Sequence, residues 1–365
     1  MISAGGGRAQ VDALTGIRGL AAWLVVLYHI RLSFAPSLPA EVIAVLGKGY
    51  LAVDLFFVLS GFVLWVTWGQ RLATERWRAA PVFLQKRIAR IWPLHAVVLA
   101  ATVGFALVIE ATGRPLPEGY RWDELPLHIL LVQNWGFTPD LAWNDPSWSI
   151  STELAAYLGF ALLIPLFARP GRIPLLASAT VMAISIILLD RFYAWHGESA
   201  LGADIASFGL VRCLAQFTCG VAACMIWQAS DGRGLRLIAA ATLASAALLC
   251  VGGLARETWA APACFTVLVI LIASTSTRSH NPLSSRIAVY LGEISYSTYL
   301  AHFLLWTLFK LVFVNDAANV PLASGALFLV ATFGASVALH RLVELPARSW
   351  LSRPLARPGG NPKPI

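Results

Sequence analysis

The sequence predicts an all-α, polytopic membrane protein of about ten transmembrane helices, with both termini in the cytoplasm. Of its 365 residues 58% are hydrophobic and only 13% are charged, whereas an ordinary soluble domain is about 25% charged. Apolar runs long enough to cross a bilayer, which takes about 20 residues, recur along the chain. This pattern argues against a large soluble protein with an apolar core. The net charge of +8 would suit nucleic acid, but the basic residues lie in short loops between apolar runs, so nucleic acid is not an expected partner.

The apolar runs define the predicted spans and a single domain. In chain order the spans are 15–33, 49–68, 92–111, 147–168, 173–190, 207–228, 235–253, 259–276, 287–312 and 321–341. We expect residues 1–350 to form one integral-membrane domain. Residues 351–365 are rich in proline, which predicts a disordered cytoplasmic tail. The N-terminus has no apolar core before the first span, so we expect insertion through that helix.

The loops set the orientation. If the N-terminus is inside, eighteen Lys and Arg residues fall in inner segments and six in outer segments, which is the bias of a chain with both termini inside. Segment 125–135 is the ambiguous piece, because it is apolar but short. If it crossed, every later loop would change sides. We expect it to be re-entrant or interfacial, within a long outer loop at 112–146.

The first span carries two ionisable residues, Arg18 and His29. Eleven residues are close to a whole number of helical turns, so the two side chains share a face and are separated by about 16 Å of rise. Ionisable groups inside a span are costly and mark functional sites. The alternative for Arg18 is an interfacial arginine that reaches toward lipid headgroups.

Three more ionisable residues lie at a depth similar to that of His29, in other spans: Asp54, Glu153 and Arg212. If their helices are neighbours, the four form one polar cluster in the outer half of the membrane. A functional site and a structural ion-pair network between helices are both open interpretations.

A second set of features lies near the predicted inner surface. Arg87 and Arg90 are one helical turn apart before the third span, which suits an anion grip for phosphate. Ordinary marking of the cytoplasmic side is the alternative. In the second span, Ser60 and Gly61 would let another helix or an acyl chain approach the backbone closely.

The ninth span contributes the last candidates. Glu293, Tyr296 and Tyr299 recur every three residues, and His302 follows near mid-membrane. These residues could line a second part of a cavity, or could make hydrogen bonds between helices. The five cysteines contain no C-x-x-C pair, so we expect neither a metal site nor a disulfide framework.

Five motifs together resemble the membrane-bound acyltransferase family three of bacterial O-antigen, exopolysaccharide and Nod-factor O-acyltransferases. They are R-x10-H (Arg18, His29), FFVLSG (56–61), R-x-x-R (Arg87, Arg90), PSWSISTE (146–153) and ISYSTYLAH (294–302). The resemblance runs from about residue 12 to residue 350. The family commonly ends in Glu-Arg-Pro or Glu-Lys-Pro, whereas this chain has Glu344-Leu345-Pro346.

The resemblance implies a multi-pass enzyme of the bacterial inner membrane. Such enzymes move an acyl group, often acetyl, from acyl-coenzyme A to a hydroxyl of a carbohydrate or glycolipid acceptor, and no metal is implied. Carried over to this chain, His29 would be the catalytic histidine and Glu153 a required acid. Arg18, Arg87 and Arg90 would be donor-side arginines.

These elements suggest a mechanism and leave rivals open. Arg87 and Arg90 would hold the donor phosphates, and the pantetheine arm would follow the face of Arg18 to His29. His29 would act as general base, oriented by Glu153 or Asp54. An acyl-enzyme relay through His29 or Ser60 is the alternative route. A proton-coupled transporter is the rival class, although the chain has no inverted repeat and a transporter would not need the arginine pair.

Overall fold

The computed structural model describes residues 4–168, 175–230, 236, 256–276 and 281–353, without the side chains of 4–11. Within these ranges the regular structure is helical and contains no strand, as predicted. The α-helices are α1 (Ala4–Ile30), α2 (Ala40–Gly47), α3 (Ala52–Leu64), α4 (Gln70–Glu75), α5 (Ala80–Ala111), α6 (Leu125–Leu130), α7 (Ser147–Phe167), α8 (Leu175–Trp195), α9 (Ile205–Ala229), α10 (Glu257–Thr275), α11 (Arg286–Glu293), α12 (Ser295–Phe313), α13 (Leu322–Leu339) and α14 (Leu345–Leu351). Wider π-helical turns follow α3 (Trp65–Gly69) and α13 (His340–Glu344).

Eight helical stretches in the described part are long and apolar enough to cross a membrane. They are Asp12–Phe34, Ala40–Arg78, Ala80–Ala111, Ser147–Phe167, Leu175–Trp195, Ile205–Ala229, Glu257–Thr275 and Leu322–Leu351. Each contains or overlaps one predicted span. Large apolar side chains on these helices face outward, such as Leu188 at 63% and Val330 at 69% exposed. These surfaces suit lipid and confirm a polytopic membrane fold.

Two predicted spans remain outside this set. Span 235–253 lies, except for residue 236, outside the described residues, as does the predicted tail from 354 onward. Span 287–312 is not one helix, because the chain breaks at Ile294 between α11 and α12. Gly292 packs so closely on α1 that a Cβ there would overlap the carbonyl group of Thr15.

This break corrects the expectation that Glu293 shares a face with Tyr296 and Tyr299. Glu293 ends α11 and is exposed to the surroundings, whereas the two tyrosines lie on α12 and are buried. A three-residue spacing places side chains on one face only while the helix is continuous, and here it is interrupted at residue 294.

Helices α3 and α9 pack closely, and small residues explain this contact. A Cβ on Gly61 would overlap the carbonyl oxygen of Phe217, and a Cβ on Gly220 would overlap that of Val58. The two backbones therefore touch where neither has a side chain. In the described structure the group that approaches Gly61 is therefore a helix, α9, which is one of the two alternatives expected from the sequence.

The segment at 112–146 folds back onto the helix bundle. Within it α6 is only six residues long, and the chain turns at Leu131 with φ 57°. The Asn134 side chain donates to the carbonyl of Ile205 at 3.1 Å, and the Trp135 indole donates to the carbonyl of Ser151 at 2.9 Å. As expected, 125–135 does not span the membrane, because its helix is too short.

Candidate active site

A cavity of about 120 Å³ lies between α1, α3, α5, α7 and α12. Its polar lining consists of Arg18, Ser60, Arg87, Arg90, Ser149, Glu153, Tyr157, Ser295, Tyr296 and Tyr299. Seven predicted site residues therefore surround one space, although they come from five helices. Arginines lie at one end of it, and Ser149 and Tyr299, which contact each other at 2.7 Å between hydroxyl oxygens, lie at the other.

The two arginines of the R-x-x-R motif differ in their surroundings. Arg90 forms an ion pair with Glu344, a fully buried carboxylate in the turn after α13. Glu344 also accepts a hydrogen bond from Ser297 and contacts His340, both at 3.1 Å. Arg87, in contrast, has no carboxylate partner within the described ranges, and its Nε is buried without a hydrogen bond. A buried guanidinium nitrogen without a partner is costly. Of the two arginines in this motif, Arg87 is therefore the one available to bind an anion.

Glu153 lies in the cavity wall, away from the histidines. Ser60 and Tyr157 both donate to the same carboxylate oxygen, Oε1, at 2.6 Å. In the described structure no hydrogen bond reaches its other oxygen, Oε2. Tyr157 was not among the predicted residues, but its position one turn after Glu153 is the spacing at which helical side chains meet.

His29 contacts a second histidine. Its Nδ1 lies 2.9 Å from the carbonyl oxygen of Val25 and 3.2 Å from Nε2 of His302. His302 is fully buried, and its own Nδ1 lies 2.6 Å from the carbonyl oxygen of Tyr299. Both histidines are candidates from the sequence analysis, which did not predict that they would meet.

Asp54 and Arg212 form a separate, buried ion pair. Nε of Arg212 donates to Asp54 at 2.7 Å, and Gln216 donates to the same carboxylate. Asp54 is 0% and Arg212 1% exposed, so both charges are removed from solvent. The pair joins α3 to α9.

The expected cluster of four ionisable groups is therefore divided into three. His29 contacts His302, Glu153 contacts Ser60 and Tyr157, and Asp54 contacts Arg212. Neither carboxylate hydrogen-bonds His29, because Glu153 accepts from Ser60 and Tyr157, and Asp54 accepts from Arg212 and Gln216. Similar depth in the membrane did not determine which side chains face each other.

Asp145 is an unpaired carboxylate at the point where the 112–146 loop meets α12. Its neighbour Asn144 donates to the carbonyl of Leu300 at 2.9 Å, and Tyr299 donates to the carbonyl of Pro146 at 3.1 Å. No hydrogen bond to the Asp145 side chain occurs in the part of the chain described. Burial disfavours the charged carboxylate and raises the pKa of Asp145 to about 6.

We expect Asp145→Asn to stabilise the protein at pH 7.5 more than at pH 4.5. Because the pKa is raised in the folded protein, the folded protein retains a proton that the unfolded chain releases. The free energy of unfolding therefore falls as the pH rises from about 4 to 6. Asparagine removes that loss, which is on the order of 1–2 kcal/mol. Thermal midpoints of both proteins in one detergent at the two pH values measure it. An equal shift at both pH values would contradict the prediction.

Comparisons with known proteins agree with the motifs. A family model described as an acyltransferase domain matches residues 11–341. The acyltransferase MdmB of Streptomyces mycarofaciens is 31% identical, over 94% of this chain and 93% of that protein. The O-acetyltransferase OatA of Staphylococcus aureus is 22% identical, over 93% of this chain and 57% of that protein. The peptidoglycan O-acetyltransferase OatA of Listeria monocytogenes is 24% identical, over 49% of this chain and 28% of that protein.

No solved structure matches the chain. The family match nevertheless spans most of the length of the chain, and it includes all five motifs of the resemblance. Together with the helical stretches able to cross a bilayer, this match shows that the chain belongs to acyltransferase family three and is a multi-pass membrane acyltransferase.

Proposed function

We propose that this protein is an O-acyltransferase of the bacterial inner membrane. It moves an acyl group, with acetyl as the first candidate, from cytoplasmic acyl-coenzyme A to a hydroxyl of a carbohydrate-containing acceptor. One observation carries the proposal: a single cavity connects three arginines to Tyr299, whose carbonyl oxygen contacts the His302 ring that in turn contacts His29.

The arginine end of the cavity suits the phosphates of the donor. Arg18, Arg87 and Arg90 line it, and only Arg90 has a carboxylate partner among the residues described. The remaining positive charge favours a polyanion, and guanidinium groups bind phosphate through paired N–H donors. The loop charges predict that this end faces the cytoplasm, where acyl-coenzyme A is made.

His29 and His302 are not among the residues that line the cavity, but they adjoin it through Tyr299 and suit the transfer step. Nε2 of His29 would take the proton of the acceptor hydroxyl as its oxygen attacks the thioester carbonyl carbon. The carbon–oxygen bond forms, the carbon–sulfur bond breaks, and the leaving thiolate takes the proton back from the imidazolium. An ester and free coenzyme A result, and no acyl-enzyme is needed.

The relatives support the class of acceptor. Two of them are named as O-acetyltransferases, and the name of one of these two includes peptidoglycan, a polymer with saccharide hydroxyls. For this chain a saccharide hydroxyl is therefore the first acceptor to test. The 112–146 loop, in which Trp122 is exposed and Trp135 is partly buried, is the surface on which to look for it.

We expect Arg87→Ala to raise the KM for acetyl-coenzyme A by about 10- to 100-fold, with a smaller effect on kcat, because one charge-assisted phosphate contact contributes about 1.5–3 kcal/mol. The KM of Arg87→Lys should lie between those of wild type and Arg87→Ala, since lysine keeps the charge but loses the paired donors. The assay follows transfer or hydrolysis of radiolabelled acetyl-coenzyme A by purified protein in lipid.

Arg71→Ala is the matched control. Arg71 is an exposed arginine paired with Glu75 on the same helix, so its loss should leave the KM unchanged. If Arg87→Ala and Arg71→Ala behave alike, the cavity is not the donor site. If no acyl-coenzyme A of any chain length binds or reacts, the proposed donor is wrong.

A further inference from the structure

We infer that His302 is a positioning residue for His29: its Nε2 accepts a hydrogen bond from the His29 Nδ1–H and holds that ring with Nε2 free to act as the base. This inference rests on the proposed function, in which His29 is the general base. It replaces the carboxylates, Glu153 and Asp54, that the sequence offered for this role.

The backbone fixes the tautomer of His29. A carbonyl oxygen can only accept a hydrogen bond, and that of Val25 lies 2.9 Å from Nδ1 of His29. Nδ1 of the neutral ring must therefore carry the hydrogen, and the lone pair must be on Nε2. In the described structure Nε2 makes no hydrogen bond, which is what an acceptor of a substrate proton requires.

The backbone fixes His302 in the complementary form. The carbonyl oxygen of Tyr299 lies 2.6 Å from Nδ1 of His302, so Nδ1 carries the hydrogen and Nε2 has the lone pair. Nε2 of His302 lies 3.2 Å from Nδ1 of His29, so the one Nδ1 hydrogen is shared between this lone pair and the carbonyl oxygen of Val25. Two independent carbonyl contacts thus assign a donor and an acceptor that match across the pair.

The surroundings favour a neutral partner over a carboxylate. His302 is 0% exposed, and no carboxylate hydrogen-bonds either ring in the residues described. The charged and titratable side chains near the pair in the described structure are Tyr28 on α1, Arg31 just after α1 and Tyr299 on α12. A buried carboxylate facing His29 would need a compensating charge, whereas an imidazole orients the ring without adding one.

The same arrangement separates positioning from proton transfer. Protonation of His302 would create a cation with no contact to solvent, which is strongly disfavoured. The proton taken from the acceptor therefore stays on His29, and His302 stabilises the imidazolium through the hydrogen bond to Nδ1–H. Because the Tyr299 ring lines the cavity and its carbonyl holds His302, the pair is fixed relative to the donor site.

The test compares His302→Gln with His302→Asn. A glutamine oxygen can lie near the position of Nε2 and accept from His29, whereas an asparagine oxygen lies near the position of Nδ1, which faces Tyr299. We expect His302→Asn to lower kcat by about 10- to 100-fold without changing the KM for the donor. This fall in kcat should be smaller than that caused by loss of the base itself, because Val25 still fixes the tautomer of His29. We expect Gln to keep kcat within a few-fold of wild type.

The pH profile of kcat/KM separates positioning from mere packing. In His302→Asn the imidazolium of His29 loses an acceptor, so the acid limb should move to lower pH, whereas in His302→Gln it should stay. His302→Leu, which keeps the volume without any acceptor, should behave like Asn. An Asn variant with wild-type kcat and profile, or a Gln variant no better than Leu, would overturn the inference.

His29→Ala, assayed in parallel, keeps the two proposals distinguishable. If His29→Ala is inactive and the His302 variants are normal, only the positioning role fails. If His29→Ala is fully active, His29 is not the base, and both the catalytic step and the role of His302 are wrong. Donor binding by each variant, measured with acetyl-coenzyme A, shows that the protein is folded.

Discussion

His29→Ala is expected to lower the rate of acyl transfer by about 10²- to 10⁴-fold while the KM for acetyl-coenzyme A stays near the wild-type value. Loss of a general base removes a contribution of that size to the transition state. The donor arginines line the cavity, whereas His29 is not among its lining residues, so ground-state binding of the donor should persist. Radiolabel transfer by purified protein in lipid, over a range of donor concentrations, measures both parameters.

The matched control is His196→Ala. His196 also lies near the end of a helix, and its Nδ1 is 2.8 Å from the carbonyl oxygen of Phe192, four residues earlier. It thus has the local backbone contact of His29 without the contact to His302. We expect its removal to leave the rate unchanged. Equal activity of the two alanine variants would exclude His29 as the base.

Arg212→Ala is expected to lower the free energy of unfolding by about 3–5 kcal/mol, because it removes one partner of a buried ion pair. The substitution leaves the Asp54 carboxylate buried and opposed only by Gln216. It also removes the donor to the carbonyl of Leu201 at 2.9 Å. Thermal or chemical unfolding in one detergent, compared with wild type, measures the loss.

The double variant Asp54→Leu/Arg212→Met tests whether this pair is structural. It removes both charges and fills the space with apolar side chains, which is often neutral or stabilising for a buried pair. We expect it to recover most of the lost stability and to retain acyl transfer. If the double variant folds as well as wild type but is inactive, Asp54 takes part in the reaction.

The sequence by itself determined the class of the protein. Recurrent apolar runs in a chain that is 13% charged indicate helices in a bilayer. The bilayer core offers no water to the backbone, and an α-helix satisfies its backbone N–H and C=O groups within its own segment. The R-x10-H and R-x-x-R spacings, with FFVLSG and PSWSISTE, indicated the acyltransferase family that the comparison shows. Together with ISYSTYLAH, these motifs contain the seven predicted site residues that line the cavity.

The tertiary structure decided which of these residues meet. Depth along a helix follows from residue number, but the direction of a side chain depends on how helices pack and where they break. The interruption at Ile294 turned Glu293 outward, and the close contact of Gly61 with α9 brought Asp54 to Arg212 rather than to His29. The contact between His29 and His302 joins residues 273 positions apart, a separation that no helical periodicity in one sequence can encode.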